Sequence, residues 1–180
     1  MQLVGLVGKS GVGKSTIANQ LASNNDFRIV PFAKPLKRAL QVLTGLPYNN
    51  FTDPILKEKK IGGLNDSPRT LMQKFGTDFV RHQVSTDFWI WRMKRYIADT
   101  HDLFMVIDDI RFRNEADMVK EFGGCVIHLK RDFEPLTKCT SHSSEKGVKI
   151  FIDEYTVNGN YDELSTYQIV LGFIKQHYGE

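Results

Sequence analysis

The sequence predicts an α/β fold in which a parallel β-sheet carries helices on both faces. Three observations predict this class: strand-like and helix-like segments alternate, residues 103–107 form a continuous apolar run, and a glycine-rich turn joins the first strand to the first helix. Such alternation is typical of parallel sheets, and a continuous apolar run indicates a strand buried on both faces. The length of 180 residues fits about one domain.

Strands are predicted from short apolar runs, and helices from the longer segments between them. The predicted strands are 3–7, 27–32, 103–107, 125–129 and 155–157. The predicted helices are 14–22, 34–43, 67–84, 87–99, 114–123 and 161–177. Ser67 is a suitable N-cap for the third helix, and Pro68 occupies its first position, where the missing N–H costs nothing. Residues 44–66, rich in Gly, Pro, Asn and Lys, are predicted to be mostly loop.

Composition and charge exclude several classes for the whole chain. Hydrophobic residues make up 41% and charged residues 25%, close to the globular average, which excludes disorder, collagen and coiled coil. The net charge of +3 fits an anionic small molecule and comes with no polybasic run. Cys125 and Cys139 lack metal-site spacing and predict a reducing compartment. Without a signal-peptide pattern or a long apolar segment, a cytoplasmic location (the host cytoplasm for a viral protein) is expected.

The glycine-rich turn at residues 8–15, GKSGVGKS, matches G-x-x-x-x-G-K-[ST] and is the strongest functional signal. Its glycines let backbone N–H groups turn toward phosphate oxygens. Lys14 would contact the β- and γ-phosphates, and Ser15 would offer its hydroxyl to Mg²⁺. The pattern predicts a P-loop NTPase fold with ATP contacts from Gly11, Val12, Gly13, Lys14, Ser15 and Thr16. Because the GTPase N-K-x-D and transporter L-S-G-G-Q signatures are absent from the sequence, a small-molecule kinase is favoured.

Two carboxylates, Asp108 and Asp109, follow the buried run 103–107. Carboxylates at this end of a parallel strand lie at the ligand-binding edge of the sheet, where one can serve as a second Mg²⁺ anchor. Side chains alternate on a strand, so one of the two is expected to face the phosphates, and the pattern leaves both open. Arg111, just beyond them, is a candidate for stabilising a transferring phosphoryl group, or else a solvated side chain on the helix surface.

The predicted helix 67–84 has a polar stripe. At 100° per residue, Leu71, Met72, Phe75 and Phe79 fall on one face, which is predicted to be core. The opposite face carries Arg69, Gln73, Thr77 and Arg81, a set that could bind a phosphate and a base edge or could simply be solvated. Gly76 would allow close approach of a ligand or of neighbouring backbone. Trp89 would stack on a base or pack in the core.

The segment 130–149 is basic and poorly patterned, and it includes Arg131. It would be either a surface loop or a lid that closes over two nucleotides, excludes water and brings an arginine to the reacting phosphate.

Taken together, these residues resemble the bacteriophage deoxynucleoside monophosphate kinases. The resemblance rests on Ser67-Pro68-Arg69, Gln73, Gly76-Thr77-Asp78, Arg81 and Trp89, on the run DIRFRNE at 109–115, on His142-x-Ser144-Glu145, and on Asn158-Gly159-Asn160 with Asp162-Glu163-Leu164. It implies phosphoryl transfer from ATP to a deoxynucleoside monophosphate. It also implies a core at 1–43 and 103–180, a monophosphate-binding part at about 44–100 and a lid at about 131–149.

The resemblance also implies residue roles. The catalytic set is Lys14, Arg81, Asp109, Arg111 and Arg131, and the metal set is Ser15 with Asp109, favoured over Asp108, for Mg²⁺. The substrate-binding set is Lys34, Arg69, Gln73, Gly76, Thr77, Arg81, Trp89, Asn114, Glu115, Ser144 and Glu145.

Two other functions stay open on the residues alone. One is a different P-loop kinase, acting on dephospho-coenzyme A, a sugar acid or phosphomevalonate. The other is an ATP-dependent nucleic-acid-binding module, prompted by a sequence pI of about 8.8, although the interleaved aromatic and basic residues of single-strand binders are missing. Nucleic-acid and membrane partners are not expected, and a homodimer is left open.

Overall fold

The structure, a computed structural model, describes residues 1–131 and 155–179. Its strands are β1 (Gln2–Val7), β2 (Arg28–Ile29), β3 (Phe104–Ile110), β4 (Cys125–Lys130) and β5 (Tyr155–Asn158). Its α-helices are α1 (Lys14–Asn24), α2 (Ala33–Thr44), α3 (Pro68–Gln73), α4 (Phe88–Asp99), α5 (Arg113–Glu121) and α6 (Glu163–Tyr178). A π-helix (Lys74–Val84) continues α3, and two short 3₁₀ helices span Tyr48–Phe51 and Leu56–Glu58.

The strands form one parallel sheet in the order β2-β3-β1-β4-β5, which confirms the predicted fold class. In the central strand β1, Val4 pairs with Val106 of β3 on one side and with Cys125 of β4 on the other. Because all strands run in one direction, their carboxyl ends meet at one edge, where ligands bind in such sheets. The turn after β1 and the ends of β3 and β4 therefore lie together.

Helices cover both faces of this sheet, as predicted. Val4 packs in a buried cluster with Ile17 of α1 and Val170 of α6. Gly5 points to the opposite face, where a Cβ built on it would lie 3.3 Å from Val119 of α5. None of the helices within residues 1–131 and 155–179 combines the length and apolar character needed to cross a bilayer.

The chain divides into two compact units. The first, Met1–Pro31 with Ala98–Glu180, contains the whole sheet, and the second, Phe32–Ile97, is helical. The second unit has its own small core of Leu40, Phe51 and Leu71. The predicted boundaries near 44 and 100 differ from these because Leu40, 1% exposed, places α2 in the second unit.

The predicted helix 67–84 changes its hydrogen-bonding pattern after Gln73. Lys74–Val84 is a π-helix, in which backbone bonds join residues five apart, a conformation that usually lasts a single turn and is frequent at functional sites. Leu71, Gly76 and Arg81 are spaced by five residues, and all three are buried.

The predicted core face is correct at its start, where Leu71 is buried and Met72 packs against the same cluster, and wrong after the change of period. Phe75 and Phe79, expected in the core, are 38% and 49% exposed. Thr77 and Arg81, expected on the opposite polar face, are each 5% exposed. The prediction assumed 100° per residue, and a π-helix turns less than this at each residue, so the two faces exchange places along the segment.

Candidate active site

The loop between β1 and α1 is shaped by its glycines. Gly8, Gly11 and Gly13 have φ angles of 152°, 82° and 103°, which residues with side chains rarely adopt. A Cβ on Gly8 would also lie 2.5 Å from the carbonyl oxygen of Leu129, so this glycine makes room for β4. The loop is therefore held in one tight conformation at the carboxyl edge of the sheet.

Lys14 begins α1, and its ammonium group folds back over the loop. Its Nζ donates to the carbonyl oxygens of Gly8 and Lys9, at 2.7 and 2.9 Å. Val12, 7% exposed, anchors the loop in the core cluster, and Thr16 is half-buried. Helix α1 has no acidic residue in its first turn, so its positive dipole end and Lys14 together suit an anion.

Ser15 contacts a carboxylate on the neighbouring strand β3. Its Oγ donates to Oδ2 of Asp108 at 2.7 Å. The resemblance favoured Asp109, whereas in the structure Asp108 is the carboxylate that contacts the loop. The pairing with β1 shifts by one residue between Ile107 and Ile110, so the regular alternation of side chains is interrupted at this pair. The hydroxyl of Ser15 and the carboxylate of Asp108 therefore form a pair of oxygen groups beside the loop.

Two residues of the β4 end lie next to the same loop. Arg131 directly follows β4, and its Nη2 lies 3.7 Å from the position of a Cβ built on Gly13. Burial, together with the charges of Lys130 and Lys14, lowers the pKa of His128 to about 4. The imidazole is therefore neutral at pH 7, while Arg131 brings a permanent positive charge to the loop.

The segment after β3 has a structural function. Glu115, 4% exposed, accepts hydrogen bonds at Oε2 from the backbone N–H groups of Arg111 (2.8 Å) and Phe112 (3.1 Å). These bonds cap the start of α5, so the carboxylate that was predicted to bind substrate serves the backbone. The side chain of Arg111 is exposed, and that of Asn114 is half-buried in the first turn of α5.

In the second unit, two polar residues of the third predicted helix, Thr77 and Arg81, are buried. Arg81 donates from Nη1 to the carbonyl oxygen of Thr86 at 3.0 Å, and Thr77, four residues before it, is equally buried. The Nε2 atom of Gln73 is buried, and no hydrogen-bond partner for it lies within residues 1–131 and 155–179. Because buried polar atoms are normally paired, this amide suits a polar ligand.

Gly76 and Trp89 belong to the packing of the second unit. A Cβ on Gly76 would lie 2.6 Å from Cδ2 of Leu36, so this glycine permits α2 and the π-helix to approach. The indole Nε1 of Trp89 donates to the carbonyl oxygen of Gly76 at 2.9 Å. These contacts hold the π-helix in place from two sides.

The remaining predicted substrate residues are spread out. Arg69 pairs through Nε with the carboxylate of Glu58, and Lys34 is exposed near the start of α2. Ser144, Glu145 and the rest of the predicted lid at 131–149 beyond Arg131 lie outside the described residues.

Comparison with known proteins shows which proteins this chain is similar to. A family model described as deoxynucleotide monophosphate kinase matches residues 64–168, more than half of the chain. A protein of Acanthamoeba polyphaga mimivirus, provisionally named a deoxynucleotide monophosphate kinase, is 30% identical over 155 residues, covering 73% of this chain and 75% of that protein. The deoxynucleoside-5'-monophosphate kinase of Escherichia phage T5 is 24% identical and covers 81% of this chain and 84% of its own.

Solved structures with a similar fold include a gluconokinase and a shikimate kinase. A gluconokinase from Sinorhizobium meliloti 1021 has a TM-score of 0.55 at 12% identity, covering 97% of this chain and 92% of that chain. The shikimate kinase of Aquifex aeolicus vf5 has a TM-score of 0.54 at 12% identity and covers 98% of both chains. At this level of identity, the similarity supports the P-loop kinase fold alone.

Proposed function

The chain belongs to the deoxynucleotide monophosphate kinase family, and on this basis we propose how its residues divide the reaction between them. The enzyme transfers a phosphoryl group to a deoxynucleoside 5'-monophosphate and forms the diphosphate. We assign ATP as the phosphoryl donor and Mg²⁺ as its metal, because the loop at 8–15 has the sequence and shape of a triphosphate cradle. The viral origin of both relatives supports action in the cytoplasm of an infected cell.

The contact between Ser15 and Asp108 carries the assignment of the donor site. Its 2.7 Å hydrogen bond brings a hydroxyl and a carboxylate oxygen together next to Lys14, and such oxygens are the ligands Mg²⁺ prefers. Within the parts of the chain that the structure describes, no group of three His, Cys, Asp or Glu side chains could hold a metal ion alone. This fits a Mg²⁺ ion that takes few protein ligands and uses phosphate oxygens and water for the rest. When bound, the ion supplies charge neutralisation at the phosphates.

The transfer itself needs no protein nucleophile. An oxygen of the monophosphate forms a bond to the γ-phosphorus as the bond from that phosphorus to the bridging oxygen breaks, and ADP leaves. Lys14 exchanges its contacts with Gly8 and Lys9 for phosphate oxygens. Arg131, beside the loop, offsets charge on the transferring group, and Arg111 at the end of β3 is the second candidate for this role.

The acceptor phosphate is assigned to the buried polar residues of the second unit. Arg81 is oriented by its bond to the Thr86 carbonyl, and a guanidinium so held loses little freedom when it grips a phosphate with two hydrogen bonds. Gln73 and Thr77 complete the set. Arg69, paired with Glu58, is assigned an indirect role in holding α3.

A panel of possible phosphoryl acceptors tests the proposed reaction directly. ADP release is measured with ATP and Mg²⁺ against dAMP, dCMP, dGMP, dTMP and the ribonucleotides, with shikimate and gluconate as acceptors that the similar folds use. The products are identified by chromatography, and Lys14→Ala provides the blank for contaminating kinases. We expect diphosphate formation from one or more deoxynucleotides. Turnover of a sugar acid in place of every nucleotide would overturn the assignment.

A further inference from the structure

Gly159 follows β5 and is held against the strand beside it. Its backbone N–H donates to the carbonyl oxygen of Lys130 at 2.6 Å, which extends the β4–β5 pairing by one residue. Asn158 steadies the same turn, since its Oδ1 accepts from the N–H of Asn160 at 3.1 Å. Both the position of Gly159 and that of the Lys130 carbonyl are therefore fixed by the sheet.

The missing side chain of Gly159 leaves space that Arg131 occupies. A Cβ at this position would lie 3.1 Å from both Cγ and Nε of Arg131 and 3.2 Å from the Lys130 carbonyl oxygen. The φ angle of Gly159 lies outside the left-handed region, so the backbone does not require glycine. What requires glycine here is the close approach of the arginine.

The other end of Arg131 reaches the phosphate loop. With Nη2 3.7 Å from the position of a Cβ on Gly13, the side chain spans the distance from the turn after β5 to the loop after β1. A long flexible side chain loses much rotamer freedom when it is ordered. Because the aliphatic stem of Arg131 lies against the backbone of Gly159, the side chain is already partly ordered and loses less rotamer freedom when substrate binds.

We propose that Gly159 is a positioning residue that directs the Arg131 guanidinium at the phosphate loop, and this proposal rests on the role in phosphoryl transfer proposed above for Arg131. A methyl group at 159 has to displace the arginine, because the Lys130 carbonyl is held by its backbone hydrogen bond. A displacement of a few tenths of an ångström is expected to lower kcat roughly three- to tenfold, less than the ~10²-fold that a misplacement of about 1 Å can cost.

The test is a double-mutant cycle with Gly159→Ala and Arg131→Ala, measuring kcat, the KM for ATP and the KM for the monophosphate. We expect Gly159→Ala to lower kcat in the wild-type background and to have no effect when Arg131 is absent, while the KM for the monophosphate stays within about twofold. Gly172→Ala is the matched control, since no atom of residues 1–131 or 155–179 lies within 4 Å of a Cβ there, and it should leave kcat unchanged.

The outcomes separate this proposal from the one on which it rests. An equal loss of kcat in both backgrounds would mean that Gly159 acts without Arg131, and would overturn the proposal. A normal kcat for Arg131→Ala would overturn the role of Arg131, and the positioning role with it. Thermal unfolding shows whether Gly159→Ala destabilises the fold. If it does, the double variant with Arg131→Ala should regain stability, because the side chain that meets the new methyl group is gone. Instability in both would place the clash at the Lys130 backbone and reject the proposal.

Discussion

The loop at residues 8–15 in the first unit and the π-helix in the second unit use glycine for different physical reasons. In the loop of the first unit, Gly11 and Gly13 have positive φ angles. Among the residues that the structure describes, a Cβ on Gly11 would have no neighbour within 4 Å, and a Cβ on Gly13 would meet the end of Arg131 at 3.7 Å. In the second unit, Gly76 has no such φ angle, and Leu36 of another helix fills the space beside it. A conformational requirement is local and produces a short motif, whereas a packing requirement depends on a distant residue and produces none.

The same contrast holds for the charged residues. Lys14 lies over a loop whose backbone carbonyls it contacts, and its position follows from the motif itself. Arg81 is buried in a π-helix and contacts a backbone carbonyl beyond the helix end, so its position depends on the local helical period. Substitutions within the loop should therefore strongly reduce activity through the proposed donor site. Substitutions that change helix packing should affect binding at the proposed acceptor site.

Lys14→Ala should have the largest effect. Removing the charge over the loop is expected to lower kcat by roughly 10²–10³-fold or more while the melting temperature stays near that of the wild type, because the loop conformation comes from glycines. Steady-state kinetics and thermal unfolding measure both. Lys9→Ala is the matched control, as the side chain of this lysine in the same loop is exposed and its contact with Lys14 is through the backbone carbonyl oxygen. Near-normal kcat in Lys14→Ala would reject the loop as the donor site.

A comparison of Asp108→Asn with Asp109→Asn sharpens the description of the donor side. Loss of the carboxylate that contacts Ser15 should raise the Mg²⁺ concentration for half-maximal rate by roughly 10–100-fold. Asp109→Asn should leave that concentration close to the wild-type value, whatever it does to kcat, because the hydrogen bond to Ser15 comes from Asp108. Mg²⁺ titrations at saturating ATP decide the matter, and the reverse order of effects would identify Asp109 as the metal carboxylate.

Arg81→Ala tests the acceptor side. Hydrogen bonds to charged groups contribute about 1.5–3 kcal/mol, so the KM for the monophosphate should rise roughly 10–100-fold, with a small change in the KM for ATP. Arg81→Lys keeps the charge but cannot grip a phosphate with two hydrogen bonds in the same way. Its KM for the monophosphate should therefore lie between those of the wild type and Arg81→Ala. Arg92→Ala, an exposed arginine of the same unit, is the control. Equal increases in both KM values would remove Arg81 from the acceptor site.

Gly76→Ala tests whether this position needs glycine for the close approach of Leu36. The new methyl group meets Leu36 at 2.6 Å, and overpacking of this kind should outweigh the better helix propensity of alanine, for a net loss of about 1–2 kcal/mol. Circular dichroism should then show a melting temperature lower by about 2–8 °C. Leu36→Ala should relieve the loss in the double variant. Gly62→Ala, where the space is open, should be neutral, and equal losses at both glycines would contradict the packing argument.

The sequence predicts the first unit better than the second, and the reasons are physical. The α/β class and the loop at 8–15 follow from apolar runs and glycine spacing, both of which are local properties. The π-helix could not be predicted, because Phe75 and Phe79 fit an α-helical core face and only the spacing of Leu71, Gly76 and Arg81 indicates another period. Asp108 could not be separated from Asp109, since the orientation of a strand residue depends on the pairing of the whole sheet.

The smallest expected effect concerns the stability of the β4 end, next to the donor loop. Burial and the nearby Lys130 and Lys14 lower the pKa of His128 to about 4, so the folded protein disfavours the protonated imidazole. Between the ordinary pKa of histidine near 6.5 and about 4, the unfolded chain therefore binds more protons, and stability falls as the pH is lowered through this window.

His128→Gln should remove that contribution and make the melting temperature less dependent on pH between about 6.5 and 4, with no change in slope above 7. His82→Gln, at an exposed position, should retain the wild-type curve. Melting temperatures at half-unit pH intervals test the difference. A wild-type slope in His128→Gln would mean that the imidazole accepts a proton in the folded protein as readily as in the unfolded chain. Burial of the imidazole and the charges of Lys130 and Lys14 would then be too weak together to disfavour its protonation in the folded protein.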